Sequence, residues 1–263
     1  MITSKMPELP EVETLRRQLD GLCGQTVLEV KVWDEVLLEV KGVEGERLEG
    51  LRRHGKVLVF SFGKGEVSLK LGMTGRLKLG VADVGPRVSF LFSSGVWLHF
   101  IDRRRLGRFV MGDGTPRGLD ALSEGIGLFW WERAKGSLRP VKAYLMDQGI
   151  VCGIGNIYAS EILFLCRVHP LQPVGELTRH DWVRMERVTK RVLSEAIQMR
   201  GTTVSDWRDL YGLPGLYQLK LRVYGREGST CPRCKGVIEK LYIDGRGTWY
   251  CPDCQRLMGV SQK

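Results

Sequence analysis

Near its C-terminal end the chain carries four cysteines, Cys231, Cys234, Cys251 and Cys254, as two C-x2-C pairs separated by sixteen residues. Each pair presents two thiolates from one tight turn, and Pro232 and Pro252 follow the first cysteine of each pair. Two such turns close a tetrahedron around Zn²⁺ and oblige the intervening chain to form a short hairpin. The spacing predicts one structural zinc. A pair of redox motifs explains it poorly, because nothing nearby has a βαβ redox pattern. The other cysteines, Cys23, Cys152 and Cys166, stand alone in apolar surroundings and read as small core residues. The opening Met-Ile-Thr-Ser-Lys-Met-Pro-Glu has no apolar stretch of the signal-peptide kind. Apolar runs such as Val88–Phe92 and Ile126–Trp131 are far shorter than a membrane span. The expected location is the cytoplasm, with no membrane partner.

The 263 residues suit two domains plus a small appended module. With 43% hydrophobic and 27% charged residues, a disordered, collagenous or disulfide-scaffold chain is excluded. Forty Lys and Arg against 30 Asp and Glu give a formal charge of +10. A polyanion, nucleic acid first among them, is the expected partner. The bland alternative is a solvated basic surface.

Helical period opens the chain: Val12, Leu15 and Leu19 recur across Pro7 to Leu22, with Pro10 confined to a first turn. Short β-rich runs follow at Val27–Trp33, Val57–Phe62, Val67–Leu71, Arg76–Leu79, Val88–Phe92 and Val96–Ile101. Their spacing predicts an antiparallel sandwich or barrel ending near Pro116–Asp120. Beyond Leu128 the pattern turns helical: Val141–Gln148, Gly155–Leu165 and a long amphipathic Trp182–Met199 with Asp181 as its cap. The fold class is therefore α+β and multidomain. It comprises an N-terminal helix plus antiparallel β-sandwich (7–118), a helical domain (128–222) and the four-cysteine finger (223–260).

A series of motifs resembles one family. They run Pro-Glu-Leu-Pro-Glu-Val-Glu (Pro7–Glu13), Arg-Arg-His-Gly-Lys (Arg52–Lys56), Leu-Gly-Met-Thr-Gly (Leu71–Gly75) and Asp-Arg-Arg-Arg-Leu-Gly (Asp102–Gly107). Then come Leu-Met-Asp-Gln (Leu145–Gln148), Gly-Ile-Gly-Asn-Ile-Tyr-Ala-Ser-Glu (Gly153–Glu161), Gly-Thr-Thr (Gly201–Thr203), Val-Tyr-Gly-Arg (Val223–Arg226) and the cysteines. Their order is that of the formamidopyrimidine-DNA glycosylases, bifunctional base-excision repair enzymes, and the resemblance covers nearly the whole chain from Pro7. It implies a helix–two-turn–helix character for the second domain and damaged double-stranded DNA lying between the domains.

By that resemblance Pro7 is the nucleophile, its imino nitrogen attacking the sugar C1′, and Glu8 is the acid/base at the opening ring. Glu11 is a supporting carboxylate. The plainer reading of Glu11 and Glu13 is acidic residues favouring a helix N-terminus. Lys56 matches a lysine set against the lesion and its phosphates. Met73, Arg104 and Leu106 match the three side chains that fill the hole left by an extruded base. Leu106 stands where phenylalanine is usual and Arg103 where proline often is; Phe109, three residues on, is available to supplement the wedge. Lys142 and Asn156 match phosphate contacts of the second domain, and Arg246 an arginine bridging the phosphates that flank the lesion. Thr202–Tyr217 matches the lesion-recognition loop.

The implied activity is release of oxidised purines such as 8-oxoguanine and formamidopyrimidines, followed by strand cleavage through β,δ-elimination, by a monomer of bacterial type. An endonuclease VIII-like preference for oxidised pyrimidines is the alternative. A peptide-bonded proline nitrogen has no lone pair to attack with. The mechanism therefore expects Met6 to be the removed start residue and Pro7 the working terminus; retention of Met1–Met6 would leave a non-catalytic binder of damaged DNA.

Overall fold

The structure, a computed structural model, describes residues 6–82 and 84–257; Met1–Lys5 of the expected leader lie outside the described residues. The chain forms two compact units, one of residues 1–116 with 196–218, the other of 117–195 with 219–263.

In the first unit, helix α1 spans Leu9–Leu19 with Glu8 as its extended N-cap and Pro10 in the first turn, where a missing N–H breaks no helical bond. Leu9, Val12, Leu15 and Leu19 are buried. Eight strands follow in two antiparallel sheets. One has the order β1 (Val27–Val32), β6 (Val88–Phe92), β7 (Trp97–Ile101), β5 (Arg76–Leu79). The other runs β2 (Leu48–His54), β3 (Val57–Phe62), β4 (Gly65–Lys70), β8 (Arg108–Met111). Leu58, Phe60 and Phe62 of β3 share one core with Phe90 and Phe92 of β6 and Leu98 and Phe100 of β7. Each such side chain contributes about 1.5–3 kcal/mol by leaving water. The expected sandwich is present.

Two strands and one helix depart from the sequence reading. β2, Leu-Glu-Gly-Leu-Arg-Arg-His, has one buried residue and no alternation; its pairing with β3 from Leu48↔Phe62 to His54↔Val57 makes it a strand. β8 is largely exposed and owes its place to pairing with β4. Between β1 and β2 a 3₁₀ helix runs Glu35–Val43. It buries Leu37, Val40 and Val43, the every-third-residue pattern that a three-residue turn brings onto one face.

The second unit holds α2 (Ile126–Ala134), α3 (Val141–Leu145), α4 (Asn156–Cys166) and most of α5 (Arg179–Gln198). It also holds a two-residue parallel pair, β9 (Leu119–Asp120) with β10 (Val151–Cys152), and the hairpin β11 (Glu239–Ile243)–β12 (Arg246–Tyr250). That hairpin turns on Asp244–Gly245, both at positive φ (48 and 71), the geometry that matches strand twist. Trp130, Tyr144 and Trp182 pack together, with ring centroids 5.6–5.7 Å apart. Helix α5 begins before the expected Asp181: Asp181 accepts from the Thr178 N–H (3.0 Å), and the Asp181 N–H donates to the Thr178 hydroxyl (3.2 Å). Thr178 is thus the cap and Asp181 its reciprocal partner.

Residues 196–218, placed by sequence in the second domain, cluster with the first unit. Leu210 is fully buried in the sandwich core, and the Thr202 N–H donates to Glu11 Oε1 at 2.7 Å. Cys152 and Cys166 are buried as expected, whereas Cys23 is half-exposed, because it follows the short 3₁₀ turn Asp20–Leu22 at the rim.

Glu13 ties α1 to β2. Its carboxylate accepts from Arg17 (2.9 Å), Arg16 (3.2 Å) and the buried Arg53 (3.1 Å). Burial works against its ionisation, but Arg17, Arg16 and Arg53 together hold its pKa below the ordinary value. A depressed carboxyl pKa stabilises the fold fully above the unfolded-state value and ceases to do so as pH falls through the folded value. Urea unfolding of Glu13→Gln should therefore show lower stability near neutral pH and a smaller further loss on acidification than the parent. Equal losses in both proteins would contradict this linkage.

Candidate active site and nucleic-acid interface

Pro7 is buried at the entrance to α1. It forms part of the wall of a cavity of ≈ 280 Å³ that Met73, Thr74, Arg103, Asp206 and Trp207 also line. Glu8, at 4% exposure, and Glu11, at 2%, are buried. Glu11 Oε2 accepts the Glu8 N–H at 2.8 Å, and its other oxygen takes the Thr202 N–H. The expected support is therefore given through backbone. Gly201, at φ +80, lies so close that a Cβ there would come within 2.6 Å of Glu11 Oε1; the Gly-Thr-Thr motif is the socket for this carboxylate.

Lys56 is half-buried in the β2–β3 turn. Arg53 Nη1 donates to the carbonyl of Gly55 at 3.0 Å, so the Glu13–Arg53 pair braces the residue just before Lys56.

Met73 lies in the turn after β4, where Gly72 has φ +69 and a Cβ would fall 2.7 Å from the Gly107 nitrogen. Arg104 is exposed, and its Nη1 lies 3.8 Å from Met73 Sδ. Leu106 is 42% exposed. The structure thus brings Met73 and Arg104 together on adjoining loops, with Leu106 standing out beside them. Phe109 does not supplement this group. It packs inward, its ring edge-on to Phe100 at 5.2 Å and 5.9 Å from Phe90, because β8 pairing turns it toward the core.

Sequence reading missed what fixes these loops. Asp102 is 3% exposed. Its Oδ1 accepts from the Thr74 hydroxyl and from the Arg104 N–H (3.3 Å); its Oδ2 accepts from the Gly107 N–H (2.6 Å) and Arg87 Nη1 (3.2 Å). One carboxylate thereby joins the Met73 turn to the Arg104 loop. Buried Arg87 also donates to Asp34 Oδ2 (2.7 Å) and the Gly107 carbonyl (2.9 Å). Burial alone would raise the Asp34 pKa; Arg87 foremost holds it below its usual value. The only sequence signal was an aspartate heading an arginine-rich run.

In the second unit Lys142 is not a solvent-facing cation. It is 1% exposed, and its ammonium donates to Asn156 Oδ1 (2.7 Å) and Thr248 Oγ1 (3.1 Å). Its position under the α4 start, facing β12, buries it, so its charge acts from behind Asn156. The Asn156 amide donates to the Gly247 carbonyl at 3.0 Å, and Arg246, next along, is exposed. Glu161, fully buried on α4, accepts the N–H groups of Arg222, Val223 and Tyr224 at 2.9–3.0 Å, which fixes the Val-Tyr-Gly-Arg run.

The four cysteine sulfurs all lie within 4.8 Å of one another, with Cys234–Cys251 at 3.4 Å and Cys231–Cys254 at 3.9 Å. Zinc–sulfur bonds of about 2.3 Å in a tetrahedron require sulfurs about 3.8 Å apart, so the residues fit one structural zinc. Among the described residues no helix is long and apolar enough to cross a membrane.

Three family models match the chain. They are the formamidopyrimidine-DNA glycosylase N-terminal domain at residues 6–109, the H2TH domain at 118–207, and the zinc finger found in FPG and IleRS at 228–257. A formamidopyrimidine-DNA glycosylase of Thermus thermophilus is 41% identical over 266 residues, covering 95% of this chain and 98% of that protein. The crystal structure of MutM (Fpg) from that organism superposes with a TM-score of 0.86 at 38% identity, covering 95% of this chain and 99% of that one. A Lactococcus lactis FPG mutant bound to Fapy-dG-containing DNA gives 0.85 at 29% identity, covering 95% and 100%. The wild-type L. lactis protein with oxidised-pyrimidine DNA gives 0.84 at 29% identity with the same coverage.

Two outcomes follow from this geometry. Asp102→Ala strips the acceptor from two backbone N–H groups, a hydroxyl and a buried guanidinium, and should lower unfolding free energy by about 3–5 kcal/mol; an unchanged urea midpoint would refute the hub. Plasma-emission analysis should find one zinc per chain, and chelation should abolish retention on DNA until Zn²⁺ is restored. Retention by metal-free protein would remove the finger from the interface.

Proposed function

Because the chain belongs to the formamidopyrimidine-DNA glycosylase family, zinc-finger DNA-repair enzymes with glycosylase and AP-lyase activity, we propose that it excises oxidised purines through Pro7 and then nicks the strand by β,δ-elimination. The observation that carries this reading is the position of Pro7 on the wall of the ≈ 280 Å³ cavity. That volume is close to the lower end of ligand pockets, roughly 300–1,000 Å³, a scale suited to one extruded base.

The neutral imino nitrogen of Pro7 attacks C1′ of the damaged nucleotide. The N–C1′ bond forms, and the glycosidic bond breaks with its electron pair leaving on the base, which takes up a proton. Glu8 protonates the ring oxygen as the sugar opens to the iminium. Successive eliminations then expel the 3′ and 5′ phosphates, and Lys56 supplies positive charge for the leaving groups. Met73, Arg104 and Leu106 occupy the vacated stack, Arg104 facing the orphaned base. Asn156, backed by the buried Lys142 charge, and Arg246 hold phosphates. Helices α3 and α4, with the Gly153–Asn156 turn between them, serve as the helix–two-turn–helix element. The enzyme works as a monomer in the bacterial cytoplasm, where its DNA lies.

This chemistry requires a free Pro7 nitrogen, so the active form is the one from which Met6 and all that precedes it have been removed. A second reading, excision of oxidised pyrimidines, is favoured by the L. lactis relative having been crystallised with such a lesion; a panel of single-lesion duplexes separates the two. N-terminal sequencing of the protein purified from its own host should read Pro-Glu-Leu-Pro, and borohydride should trap it covalently on lesion DNA. Pro7→Gly should lose most of the trapped adduct yet keep salt-sensitive binding, and Glu8→Gln should slow excision by about 10²–10⁴-fold. An active protein with Met6 still attached would exclude Pro7 as nucleophile, whereas an inactive one that keeps Met6 and still binds would be a binder of damaged DNA.

A further inference from the structure

Helix α1 carries the proposed nucleophile at one end and, two turns beyond Glu11, a clamp on a distant segment. Gln18 Nε2 donates to Asp209 Oδ2 at 2.9 Å, while Gln18 Oε1 accepts the Leu210 N–H at 3.0 Å. Asp209 is 2% exposed. Its Oδ1 accepts the N–H groups of Tyr211 (3.0 Å) and Leu213 (2.9 Å), so the chain turns around this carboxylate. Leu210 is fully buried in the sandwich core, and its carbonyl accepts the Leu79 N–H of β5 at 3.3 Å.

The segment is therefore attached to α1 twice, at Thr202 through Glu11 and at Asp209–Leu210 through Gln18. Between the attachments lie Asp206, Trp207 and Arg208, which wall the cavity beside Pro7. Trp207 is braced locally: its indole N–H donates to the Arg200 carbonyl at 3.3 Å, and its carbonyl accepts from Thr203 Oγ1 at 3.0 Å. A buried carboxylate stabilises a core less well than a packed apolar side chain would. What the Gln18–Asp209 pair supplies is direction, since its two hydrogen bonds fix both position and register of the segment.

We propose that Gln18 and Asp209 are positioning residues for base recognition, holding the Asp206–Arg208 wall in place against the Pro7 cavity before DNA binds. The proposal rests on the reading of that cavity as the lesion pocket. A wall already ordered is not ordered at the cost of binding free energy when the base arrives. An abasic nucleotide has no base to meet the wall, so the clamp matters to excision and not to cleavage at an abasic site.

A partner swap tests this. Gln18→Glu sets two carboxylates face to face and releases the segment. Adding Asp209→Asn restores the pairing with residue 18, because the new amide donates to the new carboxylate and still accepts from Tyr211 and Leu213, and gives up only the longer 3.6 Å Arg200–Asp209 ion pair. In single-turnover assays of the full chain, Gln18→Glu should slow excision of an oxidised base by roughly 10- to 100-fold. Cleavage and borohydride trapping on an abasic duplex should stay within about twofold of the parent. The double variant should recover excision. If excision and abasic cleavage fall together, the pair is merely structural; if the double variant stays as slow as the single one, direct pairing is not what matters. Either result overturns the proposal. Failure of the parent itself to trap on abasic DNA would sink the Pro7 reading, and the clamp's role with it.

Discussion

The first unit is organised around carboxylates packed into the beginning of one helix. Glu8, Glu11 and Glu13 are all buried within the first turns of α1, where an unpartnered carboxylate would be prohibitively costly. Glu11 is satisfied by two backbone N–H groups, one from its own helix and one from Thr202. Glu13 is satisfied by three arginines, one of them on β2. Satisfying these charges brings residues 191 and 40 positions away to the helix start. The fold around Pro7 is thus determined by where donors had to be found, and α1 becomes the reference against which the cavity wall and the Lys56 turn are set.

The second unit solves a similar problem with a metal and a buried ammonium. The finger rests on a small core of Phe164, Val223, Cys231, Ile238 and Cys251, too small to hold a hairpin unaided. Zinc fixes the turns, and Thr248 on β12 then meets Lys142, which in turn aligns Asn156. Removing the metal therefore acts on Asn156 and Arg246 through strand register, although neither is a ligand.

What could be read from the sequence follows the range of the forces involved. Strands such as Val57–Phe62 and Val88–Phe92 were legible because their own side chains bury apolar surface. β2 was not, since Leu-Glu-Gly-Leu-Arg-Arg-His becomes a strand only through its neighbour. The zinc site was legible because its ligands lie close in the chain. Lys142 read as a direct phosphate contact because no local signal distinguishes an exposed lysine from one buried with its ammonium donating to Asn156 and Thr248. Phe109 read as a spare wedge because nothing local says which way an edge strand turns its rings. Asp102, Gln18 and Asp209 received no role for the same reason: a polar side chain whose partners are set by the fold looks like any other of its type in the sequence.

The candidate site residues divide along the same line. Arg104, Leu106 and Arg246 are exposed and owe their positions to side chains beneath them. Asp102 stands under the first pair; Thr248, Lys142 and Asn156 stand under the strand that carries Arg246. Motif resemblance singles out Arg104, Leu106 and Arg246 and, beneath the last, Lys142 and Asn156, but it assigns nothing to Asp102 or Thr248. The buried member of each arrangement decides whether the exposed one is held where the chemistry needs it, and an error of about 1 Å there can cost as much as losing a contact. Replacement of phenylalanine by Leu106 changes only an exposed tip, with the Asp102 anchor intact beneath it. Leucine in place of an aromatic ring changes the apolar area that this tip offers and leaves the Asp102 bonds to the Arg104 and Gly107 N–H groups in place.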